Sequence, residues 1–413
     1  NDPASILSLN DINVSGVSVT SELIDGMISV DNDTVIESLN LASSSRLNVD
    51  NDTSLTVQNL FEVPQNKSLE MIGSESGILV LGDQLTLSGI LKLSAPDTLT
   101  NGKLVINGGT LIVNENSTIA SDITLLENSD INVITDKTLI YTGAIIEIGA
   151  LSLTASGGGA IENTNDIKLN NSDSVLGLNG IKLSKVAITE ELLTGKIDVN
   201  DDSTVRTLTH SDTSQMDISQ GVRLTFEESF EVPENISLKM VGSGGGYMEL
   251  NNTLTLSGKI KFDAPNYTVD NGTLALNGGV IESTYNSNVA SDITHLADST
   301  IDVSEDKTLS YSGDVLEIGT LNLTFTGGGN FINSDNLSLN TVSSVLNLDG
   351  IAKIEKVLVT ENLSNGFIDV NQDTVITEFY QLKSSKFDID DGKTLTFSEN
   401  VEVPEEISLE LFG

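Results

Sequence analysis

The chain has no cysteine and no tryptophan, and only 4% of its residues are aromatic. The missing cysteine excludes a disulfide-stapled scaffold and a thiol redox enzyme. With so few rings, 38% hydrophobic residues can fill only a narrow core of Leu, Ile and Val, which suits thin stacked layers better than a thick globule. Basic residues are scarce as well, 20 against 60 acidic ones, for a net charge of −40. Such a surface repels polyanions and lacks the cations whose counterion release drives nucleic-acid binding, so nucleic acid is excluded as a partner. The acidity suits cation binding, or it keeps a long exposed fibre dissolved. No apolar run reaches the length of a spanning helix, so no membrane insertion is expected of this segment.

At 413 residues the chain exceeds the usual size of one hydrophobic core, and an internal duplication shows how it grows. The segment 101–159 aligns without gaps on 271–329, with 32 identities in 59 positions, including the runs NGG, ASDIT, DKTL and EIG. FEVPQNKSLEMIG from Phe61 returns as FEVPENISLKMVG from Phe230 and VEVPEEISLELFG from Val401. One continuous solenoid over 1–413 is therefore expected, built of super-repeats of about 170 residues: a partial copy over 1–73, then 74–242 and 243–413. Neither end carries the polar cap usual in solenoids, so the native protein is expected to continue in at least one direction.

Short apolar and polar alternations such as LTL at 85–87, LSL at 151–153 and LNL at 321–323 read as strands with one face buried. Asn107-Gly108-Gly109, Asp136-Lys137 and Asp390-Asp391-Gly392 read as the turns between them. The best helical candidate, Thr189 to Leu193, is one turn long and returns at Thr20 to Leu23 and Thr360 to Leu363. A sandwich would need longer paired strands and a linker between domains. The expected fold is thus all-β, a parallel β-solenoid; coils of about 20 residues stacked about 4.8 Å apart would form a rod roughly 100 Å long.

Three stretches, INVITDKTLIYTG from Ile131, IDVSEDKTLSYSG from Ile301 and FDIDDGKTLTFS from Phe387, resemble the coil signature of autotransporter passenger domains and filamentous-haemagglutinin-type adhesins. The resemblance implies a right-handed parallel β-helix on the outside of a Gram-negative-type cell. The chain departs from those families in having no GxSxG motif, no C-terminal membrane barrel and no haemagglutinin secretion domain.

Among candidate sites, Asp198, Asn200 and Asp202 form a D-x-N-x-D array that returns as Asp369, Asn371 and Asp373, with Ser29, Asp31 and Asp33 in the first copy. Oxygen ligands at alternate positions on a tight loop suit Ca²⁺. Asn and Asp also fill turns on their own account, and neither the sixth-position Gly nor the closing Glu of an EF-hand is present, so both readings stand. No other cofactor is implied. The triple glycines at 157–159, 244–246 and 327–329 precede no helix and read as tight corners, not phosphate cradles. His210 and His295 are expected at the surface; His295 stands where the matched copy has Leu125, and His210 has no evident counterpart. Acidic residues that repeat with the unit, such as Glu147 and Glu317, read as scaffold. Tyr247, Tyr267, Tyr285, Tyr311 and Tyr380 are scattered, too sparse to suggest the groove of a carbohydrate-active enzyme.

The chain therefore reads as a non-catalytic stalk or fibre segment of a large secreted cell-surface adhesin, extracellular, whose partners are copies of itself or cell-surface glycans. The alternatives are a subunit of a self-assembling filament or surface layer and, behind it, a carbohydrate-active β-helix such as a lyase or phage tailspike.

Overall fold

The computed structural model describes residues 2–73 and 77–413. Every regular element among them is a β-strand, and every ladder described between strands is parallel apart from two isolated bridges. The chain divides into two compact units, Asn1–Leu208 and Thr209–Gly413, and each is by itself a parallel β-solenoid.

In the first unit one face is a ladder running from Ile6–Leu9 through Met27–Val30, Ser45–Val49 and Ser68–Ile72 to Lys196–Asp201. Successive strands stand about one coil apart, from 19 residues where Ile28 lies beside Leu47 to 24 where Ser45 lies beside Leu69. A second ladder runs from Asn13–Val14 to Lys182–Ile188, and shorter ladders such as Phe61–Val63, Gln84–Leu87, Lys103–Ile106 and Asp122–Leu125 form a third side. Alternation decides which residues enter. Leu69, Leu91, Leu111 and Ile131 stack in register and are almost wholly buried, while Glu70, Lys92, Ile112 and Asn132 face outward beside them. Each coil buries the row below it, so a narrow aliphatic core suffices at every level.

The second unit repeats this plan from Ser214–Ile218 to Leu409–Phe412. Its core is partly aromatic: Phe325 and Phe331, centroids 4.9 Å apart, stand where the first unit has Ala155 and Ile161.

Corners follow from turn chemistry. The amide of Lys137 donates to Ile134, that of Lys307 to Ser304 and that of Lys393 to Asp390, closing turns whose third residue, Asp136, Asp306 or Gly392, is left-handed. The DKTL-type runs are these turns plus the strand that follows. The triple glycines at 157–159 and 327–329 lie against the first two of these turns one coil on, and Gly245 and Gly246 lie in the same way beside Gln220 and Ile218, at the turn where the Val222 amide donates to Ser219. Gly157 and Gly158 have φ 107° and 83°, and a Cβ on Gly159 would stand 2.5 Å from the carbonyls of Ile134 and Lys137. Only glycine fits there.

The helical candidates are not helices. Around Thr189 to Leu193 the amides of Leu193, Thr194 and Gly195 all turn onto the Ser172 carbonyl, and around Thr20 to Leu23 those of Ile24, Asp25 and Gly26 turn onto Pro3. A single leucine in each copy, Leu23, Leu192 or Leu363, plugs the core. One inward residue per corner leaves no apolar stripe for a helix to bury.

Candidate functional site

The D-x-N-x-D residues lie along strand ends and corners of the first face, not on one tight loop. Asp198, in Lys196–Asp201, pairs with Lys196 at 3.1 Å and accepts from the Asn200 amide at 3.4 Å. Asp369, in Phe367–Val370, accepts from Asn371 at 3.1 Å and sits in the ladder between Asn347 and Asp388. Burial pushes the Asp369 carboxyl up from its ordinary range, Asn371 partly offsets this, and the charges of Asp388, Asp390 and Asp349 add to the rise. Asp373 accepts the Thr394 amide at 2.8 Å. In the first copy Asp33 does the same for Ser54 at 2.8 Å, and Ser29 donates to Asp31 at 3.0 Å. Residues two apart on a strand stand about 6.6 Å apart at their backbones, so the three oxygens of each array are spread along the coil edge. Among the described residues no group of three or more acidic or histidine side chains is arranged to hold a metal.

His210 is buried, where the sequence pattern predicts exposure. It is 5% exposed, its Nε2 lies 2.6 Å from Ser214 Oγ, and burial lowers its pKa to about 4. It also has counterparts: the sites Leu41 with Ser45, His210 with Ser214, and Gln381 with Ser385 occupy one inner corner of successive copies, and all six residues are buried. Ser385 donates to Gln381 at 2.6 Å. His295 takes the inward place of Leu125 and is half-buried, paired with Leu276 just before a register shift at which Asn277 pairs with Ala297 and Leu296 is skipped. Its Nδ1 lies 3.1 Å from the Ile318 carbonyl, and burial pushes its pKa down too.

Two polar devices are not evident from the sequence pattern. Tyr141 is buried, and its hydroxyl donates to the Ala144 carbonyl at 2.6 Å and accepts the Ile123 amide at 3.2 Å. Tyr311 makes the same clasp with Asp314 and Ile293. Burial raises both phenols, Tyr311 to about 12. Asn163 and Asn333 solve a different problem. The strand Lys182–Ile188 runs straight past the corner of the coil beneath it, leaving the backbone of Lys185 without a ladder partner there. Asn163 donates to the carbonyls of Lys185 at 2.7 Å and Asn165 at 2.8 Å, and accepts from the amides of Ser184 and Lys185. Asn333 does likewise for Lys356. A polar residue at an inward position, repeated at the 170-residue offset, was the signal available in the sequence.

Asp97 is a buried carboxyl, 1% exposed, and burial raises its pKa to about 7, partly offset by the amides of Gly77 and Ala95. The matched position in the second unit is Tyr267, whose buried hydroxyl bridges Ile218 and Val241. Glu147 and Glu317 are exposed beside Lys168 and Ser338 in the second ladder of each unit. No family model matches the chain, and no curated protein and no solved structure matches it either.

Proposed function

We propose that the chain is a non-catalytic structural segment, a stalk, of a large secreted cell-surface protein. The observation that carries this reading is where the chain places its conformationally demanding and buried polar residues. The tyrosine clasps and the buried asparagines bind one coil to the next, and they recur in both units at matched positions, as do the left-handed corners Asn66 and Asn235, Asn101 and Asn271, and Asp136 and Asp306. A group needed for a single chemical event has no reason to recur with the scaffold. The buried tyrosines and asparagines already commit their hydrogen bonds to backbone, which supports a load-carrying role over a chemical one. The acidic surface fits an exposed fibre that must remain dissolved.

Small-angle scattering of the purified chain tests this. A stalk requires a thin, extended particle whose form does not change with concentration. A compact particle would overturn the reading.

A further inference from the structure

We propose that the unit Thr209–Gly413 carries a binding site for an extended, uncharged β-linked oligosaccharide on its second face, headed by Tyr247 and running across Thr268, Asn288 and Ser310. The site requires only that this unit folds as described, and it stands or falls apart from the stalk reading.

The repeat breaks on this face. Outward positions in register run Arg223, Tyr247, Thr268, Asn288 and Ser310 up successive coils. The matched positions of the first unit hold Ser54, Ile78, Thr98, Thr118 and Ile140. In the neighbouring column Thr56 is kept as Thr225, while Val80 and Thr100 give way to Glu249 and Asp270. The same ladder builds without these groups in the first unit, so the scaffold does not need them.

The altered residues form an ordered head. Arg223 lies over the Tyr247 ring at 4.5 Å from its centre and pairs with Asp270 at 2.8 Å, with Glu249 at 3.9 Å. Thr225 donates to Glu249 at 2.9 Å and Asn271 donates to its other oxygen at 2.6 Å. The aromatic ring is thereby fixed, and the guanidinium balances one of the two carboxylates, Asp270, while Thr225 and Asn271 hold the other, Glu249, by hydrogen bonds. On the side of Tyr247 away from Arg223, the next residue in the ladder is the short Thr268, which leaves a step beside the ring.

That step opens into a groove of about 460 Å³, lined by Asn266, Thr268, Asn286, Asn288, Thr308 and Ser310. In a chain of net charge −40 this lining contains no charged group. Elsewhere outward polar side chains bond across coils, as Asn114 does to Ser94 at 3.0 Å, Asn132 to Ser156 at 3.0 Å and Asn347 to Thr324 at 3.1 Å. The side chains of Thr268, Asn288 and Ser310 form no such bond among the described residues. They present amide and hydroxyl groups in a row at the strand spacing of about 4.8 Å, close to the advance of one pyranose ring in an extended β-linked chain. A fixed aromatic ring beside free amides and hydroxyls is the chemistry that takes a sugar ring by stacking and hydrogen bonding. The surrounding negative field disfavours polyuronates and sulfated glycans.

Isothermal titration calorimetry of the whole chain against cellohexaose, chitohexaose and mannohexaose, with polygalacturonate as the charged comparison, tests the site. At least one neutral hexaose is expected to bind saturably and more tightly than polygalacturonate. Tyr247→Ile and Ser310→Ile install the residues that the first unit carries at these places, so the fold has a precedent for both; thermal melts by circular dichroism check it. Each is expected to weaken binding roughly tenfold, the scale of one lost stacking or hydrogen-bonding contact. The proposal is overturned if no neutral hexaose binds, if polygalacturonate binds more tightly, or if both variants bind as the parent does.

Discussion

Glu406 adopts φ 68° at the corner where the two earlier copies of the same segment place Asn66 and Asn235 at φ 61° and 65°. In all three the amide of the next residue bonds back to a proline carbonyl, so the turn is the same and only the residue differs. Asn tolerates this conformation because its short side chain bonds locally, whereas Glu has no such compensation. Glu406→Asn is expected to stabilise the turn by about 0.5–1 kcal/mol, read as slower amide exchange at Ile407. His210 gives a second test at this scale. Its folded pKa, about 4, lies below its ordinary 6.5. Above pH 6.5 both folded and unfolded chains hold it neutral and its full contribution is present. Between 6.5 and 4 the unfolded chain binds the proton first, so stability falls as pH falls, and below 4 the loss levels off at about 3 kcal/mol. His210→Gln installs the residue of the third copy. The difference between the two pH profiles in urea should show that window and be flat on either side.

Among elements, those set by local demands were the most legible. The triple glycines, the DKTL-type turns and the alternation of Leu69 with Glu70 state their roles locally, because positive φ and inward facing are local demands. The strand Lys182–Ile188 was not legible, since what allows it to ignore a corner is Asn163, one coil earlier. The inner site of His210 was hidden for another reason. Leu41, His210 and Gln381 are 169 and 171 residues apart, so a gapless comparison at 170 steps past them. The groove beside Tyr247 was equally hidden, because its residues come from successive coils and meet only through the ladder register. Two substitutions test these element-level roles. Asn163→Asp keeps the shape but turns a carboxylate toward the carbonyls of Lys185 and Asn165, and should cost about 3 kcal/mol at neutral pH. Urea unfolding monitored by circular dichroism would show it. Gly157→Ala places a Cβ against the Val133 carbonyl at φ 107° and should cost about 2 kcal/mol or more, whereas alanine at Gly221, whose Cβ would meet nothing within 4 Å, should cost only the αL preference.

At the scale of the whole molecule, the charge imbalance works against the packed state. Sixty acidic residues face 20 basic ones, and the coil repeat stacks some of the acids directly on one another, as at Asp369 and Asp388. Acids two to six coils apart lie roughly 10 to 30 Å from one another, inside the screening length of about 30 Å at 0.01 M salt and outside that of about 10 Å at 0.1 M. Raising NaCl across that range should therefore raise the melting temperature. Calcium separates general screening from specific binding. Asp198 already pairs with Lys196, and Asp33 and Asp373 each accept a backbone amide from the next coil. A cation entering these arrays must displace or share contacts that hold the corners. The expectation is that millimolar Ca²⁺ and Mg²⁺ at matched ionic strength raise the melting temperature equally. A gain of several degrees specific to Ca²⁺, lost in Asp369→Asn, would instead make the D-x-N-x-D arrays metal sites and the solenoid a calcium-stiffened one.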